Sequence, residues 1–448
     1  MNITTLQERV HGTPRPDGWM IGKLHQTLRV RRGNKNAGMQ ERNLLSLSFG
    51  RIKRKDINTA DGLLPESFET YQVVERGDIV MRLTDLQNDK RSLRQGLVRE
   101  RGIITSAYDA LHVSDDDEPR FWAYALLALD LAKYYYSLGG GVRQSIKFTD
   151  FPNEWITRPD LNTQKAIAAF LDRETARIDQ LIEKKQRLVA LLGEKRQAVF
   201  DQVVMGREGG ATALVPSGVD WFGSVPHDWT VCRFQRLISS KVDYRGRTPV
   251  KLDDGVFLVT GRNIKNGAID YQRAAEYTSA AEWAKLQERG APEIGDVLMT
   301  TEAPLGEIAQ VDRCDVAFAQ RIIKFQARAD LISNDYLAAM MQTSEFQGSL
   351  SLYSSGSTAK GIKSERLAHL FGVVPPPAAQ AEIVRHLRAR MSAIDNLKTP
   401  LDTSIARLKE HRSALITAAV TGQIDVTRWS RHGEADRRLD QIQEELAG

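Results

Sequence analysis

Shifted by 216 positions, the sequence falls on itself: residues 146–206 lie over 362–422 without a gap, and 16 of the 61 pairs are identical. The matches include Ile146/Ile362, Lys147/Lys363, Pro159/Pro375, Gln164/Gln380, Ile178/Ile394, Asp179/Asp395, Arg196/Arg412 and Gly206/Gly422. A repeat that holds one register this long means that one structural unit occurs twice, and the fold must accommodate both copies.

Each copy has the pattern of a single long helix, with proline at its approach and glycine where a helix would stop. In the first, Ile167, Leu171, Ile178, Leu181, Leu188, Leu192 and Val199 recur at helical steps, and in the second Ile383, Leu387, Ile394, Leu397, Leu401, Leu408 and Leu415 do the same. About forty residues at 1.5 Å each give a rod of roughly 60 Å whose apolar stripe must be buried, and the obvious partner is the other copy. Parallel pairing would force residues 211–375 to join ends about 60 Å apart, so an antiparallel pair is expected. Ile167, Leu171, Ile178, Leu181 and Leu192 are the candidate pairing residues of the first helix, and Ile383, Leu387, Ile394, Leu397 and Leu408 those of the second. Pro400 stands where the first helix has Lys184, and an interior proline predicts a bend or break there.

The expected fold class is α+β: two globular modules linked by two long antiparallel helices in a circular, pseudo-two-fold arrangement that brings the termini near each other. Residues 1–155 form the first module, 156–210 the first helix, 211–375 the second module, 376–425 the second helix and 426–448 a polar tail. The modules share a sparse skeleton of Trp19 and Trp229 near their starts, and of Gly77-Asp78-Ile79-Val80 against Gly295-Asp296-Val297-Leu298. Strand-like runs at 71–74, 78–81, 256–260 and 322–326 alternate with amphipathic stretches at 120–136 and 334–352. A flexible basic loop precedes each helix, with Arg143, Gln144 and Lys147 in one copy and Lys360 and Lys363 in the other.

Net charge is only +5, but residues 28–55 carry nine basic side chains (Arg29, Arg31, Arg32, Lys35, Arg42, Arg51, Lys53, Arg54, Lys55) against one acid, Glu41. With Asn34, Asn36, Gln40 and Asn43 interleaved, this stretch offers phosphate neutralisation beside amides able to read base edges. The second module has Lys241, Arg245, Arg247, Lys251, Arg262, Lys265 and Arg273, diluted by Asp243, Asp253 and Asp254.

Motifs for chemistry are lacking. Gly356-Ser357-Thr358-Ala359-Lys360-Gly361-Ile362 puts isoleucine where a phosphate loop needs lysine, and Gly139 to Gly141 is a bare triplet. The eight histidines are dispersed, the acid run Asp115-Asp116-Asp117-Glu118 reads as a solvated loop, and Cys232 and Cys314 form no ligand pair. The N-terminus has no apolar leader core, and the most apolar run, 121–132, is too short to span a bilayer and contains Asp130. A non-catalytic protein of the cytoplasm, without a cofactor or metal of its own and without a membrane segment, is expected.

Three stretches carry a family resemblance. The run from Glu410-His411-Arg412-Ser413-Ala414-Leu415-Ile416 to Thr421-Gly422-Gln423-Ile424-Asp425-Val426 resembles the end of the helical conserved region in specificity subunits of type I restriction-modification systems. Ser217 to Trp229 is similar to the start of their second target-recognition domain, and Pro375-Pro376-Pro377 with Gln380-Ala381-Glu382-Ile383 to the start of the helix that follows. The first helix, ending Glu194-Lys195-Arg196-Gln197-Ala198-Val199-Phe200, departs from that pattern.

The resemblance implies a coiled-coil spacer between two target-recognition domains, each reading half of a split double-stranded DNA target, and asymmetric halves because the modules differ. It further implies two docked modification subunits that use S-adenosylmethionine for DNA methylation, and restriction subunits that use ATP and magnesium in phage defence. The DNA-binding candidates are Arg29, Arg31, Arg32, Lys35, Lys53, Arg54, Lys55, Arg143, Gln144, Lys147, Lys241, Arg245, Arg247, Arg262, Lys265, Lys360 and Lys363. Two other readings stay open: a helical scaffold joining protein partners, and the recognition part of a variant restriction enzyme.

Overall fold

The computed structural model describes residues 3–58, 65, 67–86, 93–138, 145–209, 213–244, 249–318, 321–356, 360–426, 438 and 441. By its internal contacts the chain divides into two compact units, one of residues 1–187 and 400–448 and the other of residues 188–399. The division cuts both long helices, so each unit owns one α+β module and a segment of each helix.

The helices are Leu161–Val204 and Pro377–Val420, both of 44 residues. Their first and last positions differ by the same 216 as the sequence repeat. Asp160 caps the first, accepting from the Asn162 and Thr163 amides at 2.9 and 3.1 Å, and Pro377 opens the second, where its missing N–H costs nothing. Both end in the same left-handed glycine cap. Arg207 N donates to Gln202 O at 2.8 Å beyond Gly206 (φ +65°), and Gln423 N to Ala418 O at 2.8 Å beyond Gly422 (φ +72°).

Within each unit the helix segments run antiparallel. In the first, the end of the second helix lies beside the N-terminal segment: Gln423 donates to Pro14 O at 3.3 Å, and a side chain at Gly422 would strike Pro16 and Trp19. The described N- and C-terminal segments therefore meet, as expected. In the second unit Val199, Phe200, Val203 and Val204 share a core with Val384, Leu387, Met391 and Ile394, and a side chain at Gly206 would strike Trp229 and Pro226.

Most stripe positions are covered. Ile167, Leu171, Ile178 and Leu408 are at most 1% exposed, each worth about 1.5–3 kcal/mol of burial. Leu387 and Ile394 are buried, and Leu181, Leu192 and Ile383 half-buried. Leu397 is a correction: it is 61% exposed, because burial at that end of the segment passes to Met391 and Ile394 one face away. Leu188 and Leu191 are exposed too. Of the bend or break expected at Pro400, the break is also corrected, since the helix continues through it. One lost hydrogen bond is the local cost, and turns on both sides keep theirs.

Each module is built on a four-stranded antiparallel sheet with the same order. In the first the neighbours run Leu28–Val30, Asp109–Val113, Ile79–Met81, Gln95–Leu97, and in the second Ile238–Asp243, Ile322–Ala327, Val297–Thr301, Leu305–Gln310. A two-stranded ladder beside each sheet pairs Met20–Lys23 with Trp155–Arg158, and Thr230–Arg233 with Phe371–Val374. Of the central strands, Ile79–Met81 and Val297–Thr301 are buried along their whole length, which is why they read as apolar runs and not as alternation. The same turn starts both: Asp78 accepts from the Glu75 amide at 2.8 Å around Gly77 (φ +94°), and Asp296 from the Glu293 amide at 2.9 Å around Gly295 (φ +90°).

The amphipathic stretches are helices at Pro119–Leu131, Asn334–Met341 and Ser344–Leu352, the last two separated at Gln342 and Thr343. The acid run before the first does not face water throughout, a third correction. Asp117 is buried and accepts from Trp122 Nε1, Arg158 Nε and Gln164 Nε2 at 3.1, 2.8 and 2.8 Å. Gln164 and its repeat Gln380 do equivalent work: each accepts a backbone N–H (Glu118, Ser333) and donates to the carbonyl of the proline before its helix (Pro159, Pro375).

Candidate nucleic-acid interface

In the first unit the basic stretch folds into a hairpin, Leu45–Ser48 paired with Arg51–Arg54 through the turn Phe49-Gly50. Alternation sends Leu47 and Ile52 inward, and both lie where a side chain at Gly96 would be. Arg51 and Lys53 then stand on the opposite face with Ser46 and Ser48. The inward pair explains the glycine in strand Gln95–Leu97, since the hairpin could not close on that strand otherwise.

Several of the candidate cations are held by acids, and others stand at exposed positions. Arg31 is held: its Nε lies 2.5 Å from Asp78, which is 1% exposed, so this guanidinium neutralises a buried carboxylate. Arg54 pairs with Glu100, and Arg51 reaches Asp179 at 3.1 Å. The Arg54 contact holds the Glu100 carboxyl below the usual glutamate range. Arg29 donates to His25 O at 3.4 Å from an exposed position. Arg32, Lys35, Lys53, Lys55 and Lys147 are exposed. Arg143 and Gln144 lie outside the described residues.

In the second unit Lys241 donates to Ser364 Oγ at 2.8 Å, and Glu276 takes both Arg262 and Lys251, the latter at 2.7 Å. Lys265, Lys360 and Lys363 are exposed. Arg245 and Arg247 lie outside the described residues. The structure thus gathers Arg51, Lys53, Arg54 and Lys55 on one strand and its exit, and leaves the second module's cations dispersed.

Sequence reasoning missed a groove in each unit. In the first, about 760 Å³ opens between the hairpin, strand Gln95–Leu97, helix Pro119–Leu131 and the long helices. Asp179 there accepts from Arg412 Nε at 2.8 Å, and Asp172 from Arg120 Nη1 and Tyr124 Oη, both at 2.9 Å. Burial drives the Tyr124 phenol up to about 12, so it stays a proton donor. In the second unit about 660 Å³ opens at the matching place, where Asp395 accepts from Arg196 at 3.1 Å and Asp335 from Arg388 at 2.8 Å. The pairs Asp179–Arg412 and Asp395–Arg196 are repeat-related on both sides. Their identity across the repeat was the available signal.

Among the described residues no group of three or more His, Cys, Asp or Glu is placed to hold a metal, and both cysteines are free. No described helix is long and apolar enough to cross a membrane.

No protein-family model and no curated protein matches the sequence. Among solved structures, the chain is similar to one from work on complex assembly and conformational transition of the type I R-M system, with TM-score 0.61 and 16% identity over 92% of this chain and 100% of that one. It also aligns with the HsdS subunit from Thermoanaerobacter tengcongensis, with TM-score 0.44 and 17% identity over 92% of this chain and 99% of that one. For the type I restriction-modification S subunit from M. genitalium the TM-score is 0.34, with 12% identity over 91% of this chain and 98% of that one. The first of these shares the fold of this chain.

Proposed function

We propose that the chain is the DNA sequence-recognition subunit of a type I restriction-modification complex, reading a bipartite, asymmetric target and contributing no catalytic residues of its own. The observation that carries this reading is one scaffold used twice with different exposed side chains. Both modules have the same sheet order, the same aspartate turn and the same glutamine latch, yet the first presents a compact basic hairpin and the second scattered cations. Two readers on a duplicated frame gain affinity through effective concentration and measure the gap between half-sites. The likeness in fold to a chain of the type I R-M system, and the motif resemblance ending at Val426, support the same reading.

On this reading two modification subunits supply S-adenosylmethionine chemistry, and restriction subunits supply ATP- and magnesium-dependent cleavage. The exposed Leu188, Leu191 and Leu397 of the long helices offer apolar surface for docking. The helices act as the spacer.

Co-expression with an adenine methyltransferase encoded beside this gene, followed by methylation-aware sequencing, should reveal one split asymmetric motif. Random or absent methylation would overturn the proposal. Because Arg31 and Arg54 are held by Asp78 and Glu100, the informative charge reversal is Arg32→Glu with Lys53→Glu. DNA binding should weaken and the salt slope fall by about 1–2, whereas a scaffold would be unaffected.

A further inference from the structure

We propose that Phe49 is a base-contacting residue, the aromatic tip of a stiff basic hairpin that presses against the stacked bases of duplex DNA. The inference rests on the reading that the chain binds DNA and adds to it a residue with no charge and no hydrogen-bonding group.

Both units carry a two-residue hairpin on the edge strand of the four-stranded sheet. In the second it is Ile264–Lys265 paired with Ala268–Ile269, turning through Asn266-Gly267, and it packs on strand Leu305–Gln310. In the first it is the hairpin of Leu45–Ser48 and Arg51–Arg54, turning through Phe49-Gly50 and packing on strand Gln95–Leu97. Gly50 lines the groove of its unit, as Asn266 and Gly267 line theirs. The backbone is the same in both: φ is +53° and +85° at Asn266 and Gly267, and +46° and +74° at Phe49 and Gly50.

Asn-Gly is the pair such a turn favours, since asparagine tolerates the left-handed region and a bulky side chain does not. Phenylalanine at the first position is sterically unfavourable, and with the ring 69% exposed it gains little from the protein's own core. A side chain that the turn disfavours and the core does not use is explained by a surface outside the chain.

Charge points to nucleic acid. Lys53 and Lys55 follow the ring within six residues and are exposed, Lys53 at the edge of the groove, while Arg51 and Arg54 are already neutralised by Asp179 and Glu100. The hairpin is also braced: Leu47 and Ile52 sit over Gly96, Arg51 is tied to Asp179 and Arg54 to Glu100. A ring that is to displace or stack on a base needs such a rigid mount, and apolar side chains at base steps are a common device of duplex-binding proteins.

The test exposes the full-length protein to a pool of random duplexes of about 30 base pairs, then measures the enriched duplex against wild type, Phe49→Asn and Phe49→Trp. F49N installs the favoured turn, so it should melt at the same temperature or higher, yet bind about tenfold more weakly with an unchanged salt slope. F49W should retain binding within about threefold. 2-Aminopurine stepped along the enriched duplex should brighten at one position with wild type and not with F49N. F49N that binds and brightens like wild type overturns the assignment while DNA recognition stands. Wild type that enriches no duplex removes DNA recognition and the assignment together. F49N that keeps DNA binding but loses a co-purifying protein assigns the ring to a protein contact and also overturns it.

Discussion

The two modules begin their central strand with the same aspartate turn, but they neutralise the aspartate in different ways. Asp78 is paired with Arg31, the residue just past the edge strand Leu28–Val30, and that arginine is 27% exposed. Asp296 is paired with Lys324 from the neighbouring central strand, and that lysine is 4% exposed and also donates to Ala291 O at 3.0 Å. The backbone accepts either solution because the turn fixes only the carboxylate, and a cation reaches it from the neighbouring strand in one module and from one strand further in the other. Diverged copies of one module therefore share dihedral angles and burial more faithfully than partners.

Breaking the buried version should cost most. Lys324→Ala leaves Asp296 charged and enclosed, and unfolding of the second unit should become easier by about 3–5 kcal/mol in denaturant titrations. Arg31→Ala should cost the first unit about 2 kcal/mol, because solvent reaches that pair. Equal losses would mean that the two turns are equivalent after all.

The helix caps come next, and here the units should agree. Alanine at Gly206 or Gly422 must hold a left-handed backbone while its Cβ meets Trp229 at 2.6 Å or clashes with Pro16. Each should cost about 2–4 kcal/mol, seen as a drop in Tm. A difference beyond about 1 kcal/mol would show that one unit relaxes and the other does not.

The cross-helix pairs should sharpen the contrast on a smaller scale. Asp179→Asn releases both Arg412 and Arg51, and Asp395→Asn releases Arg196. About 1 kcal/mol against 0.5 is expected, with both effects shrinking in 1 M salt.

The smallest effect concerns Glu174, buried on the first long helix at a position where the second has Arg390. Burial raises its pKa above the ordinary 4.5. A raised acid gives its full stabilisation below 4.5 and loses it as pH rises through the folded-state value. Glu174→Gln should therefore raise Tm slightly at pH 7 and leave it unchanged at pH 4, and a drop at pH 7 would contradict the sign.

The helices were legible in the sequence because a stripe and a repeat are local, additive signals. Ile167, Leu171, Ile178 and Leu408 declared themselves by spacing alone. Leu397 did not, because which flank of a stripe gains cover depends on the partner's side chains. Asp117 misled because a charged run reads as solvated, and only the folded chain supplies Trp122, Arg158 and Gln164 to receive it. The basic cluster was visible as composition. That Arg31 is held by a buried acid while Lys53 stays exposed was not, since the partners lie many residues away. Asn266-Gly267 is the pair that a two-residue turn favours, whereas its counterpart Phe49-Gly50 is hidden in the sequence by an unfavourable first residue.

Helices ordinarily fray from their ends, where backbone groups lack partners. In this chain the C-terminal ends are fastened, by Trp229 over Gly206 and by Pro16 and Trp19 over Gly422, while mid-helix Leu188, Leu191 and Leu397 face solvent and Pro400 donates no hydrogen bond. Amide exchange should consequently run in reverse of the usual order, fastest around residues 396–400 and slowest in the closing turns. A rod that loosens at its waist before its tips can yield in the middle without letting go of what it carries.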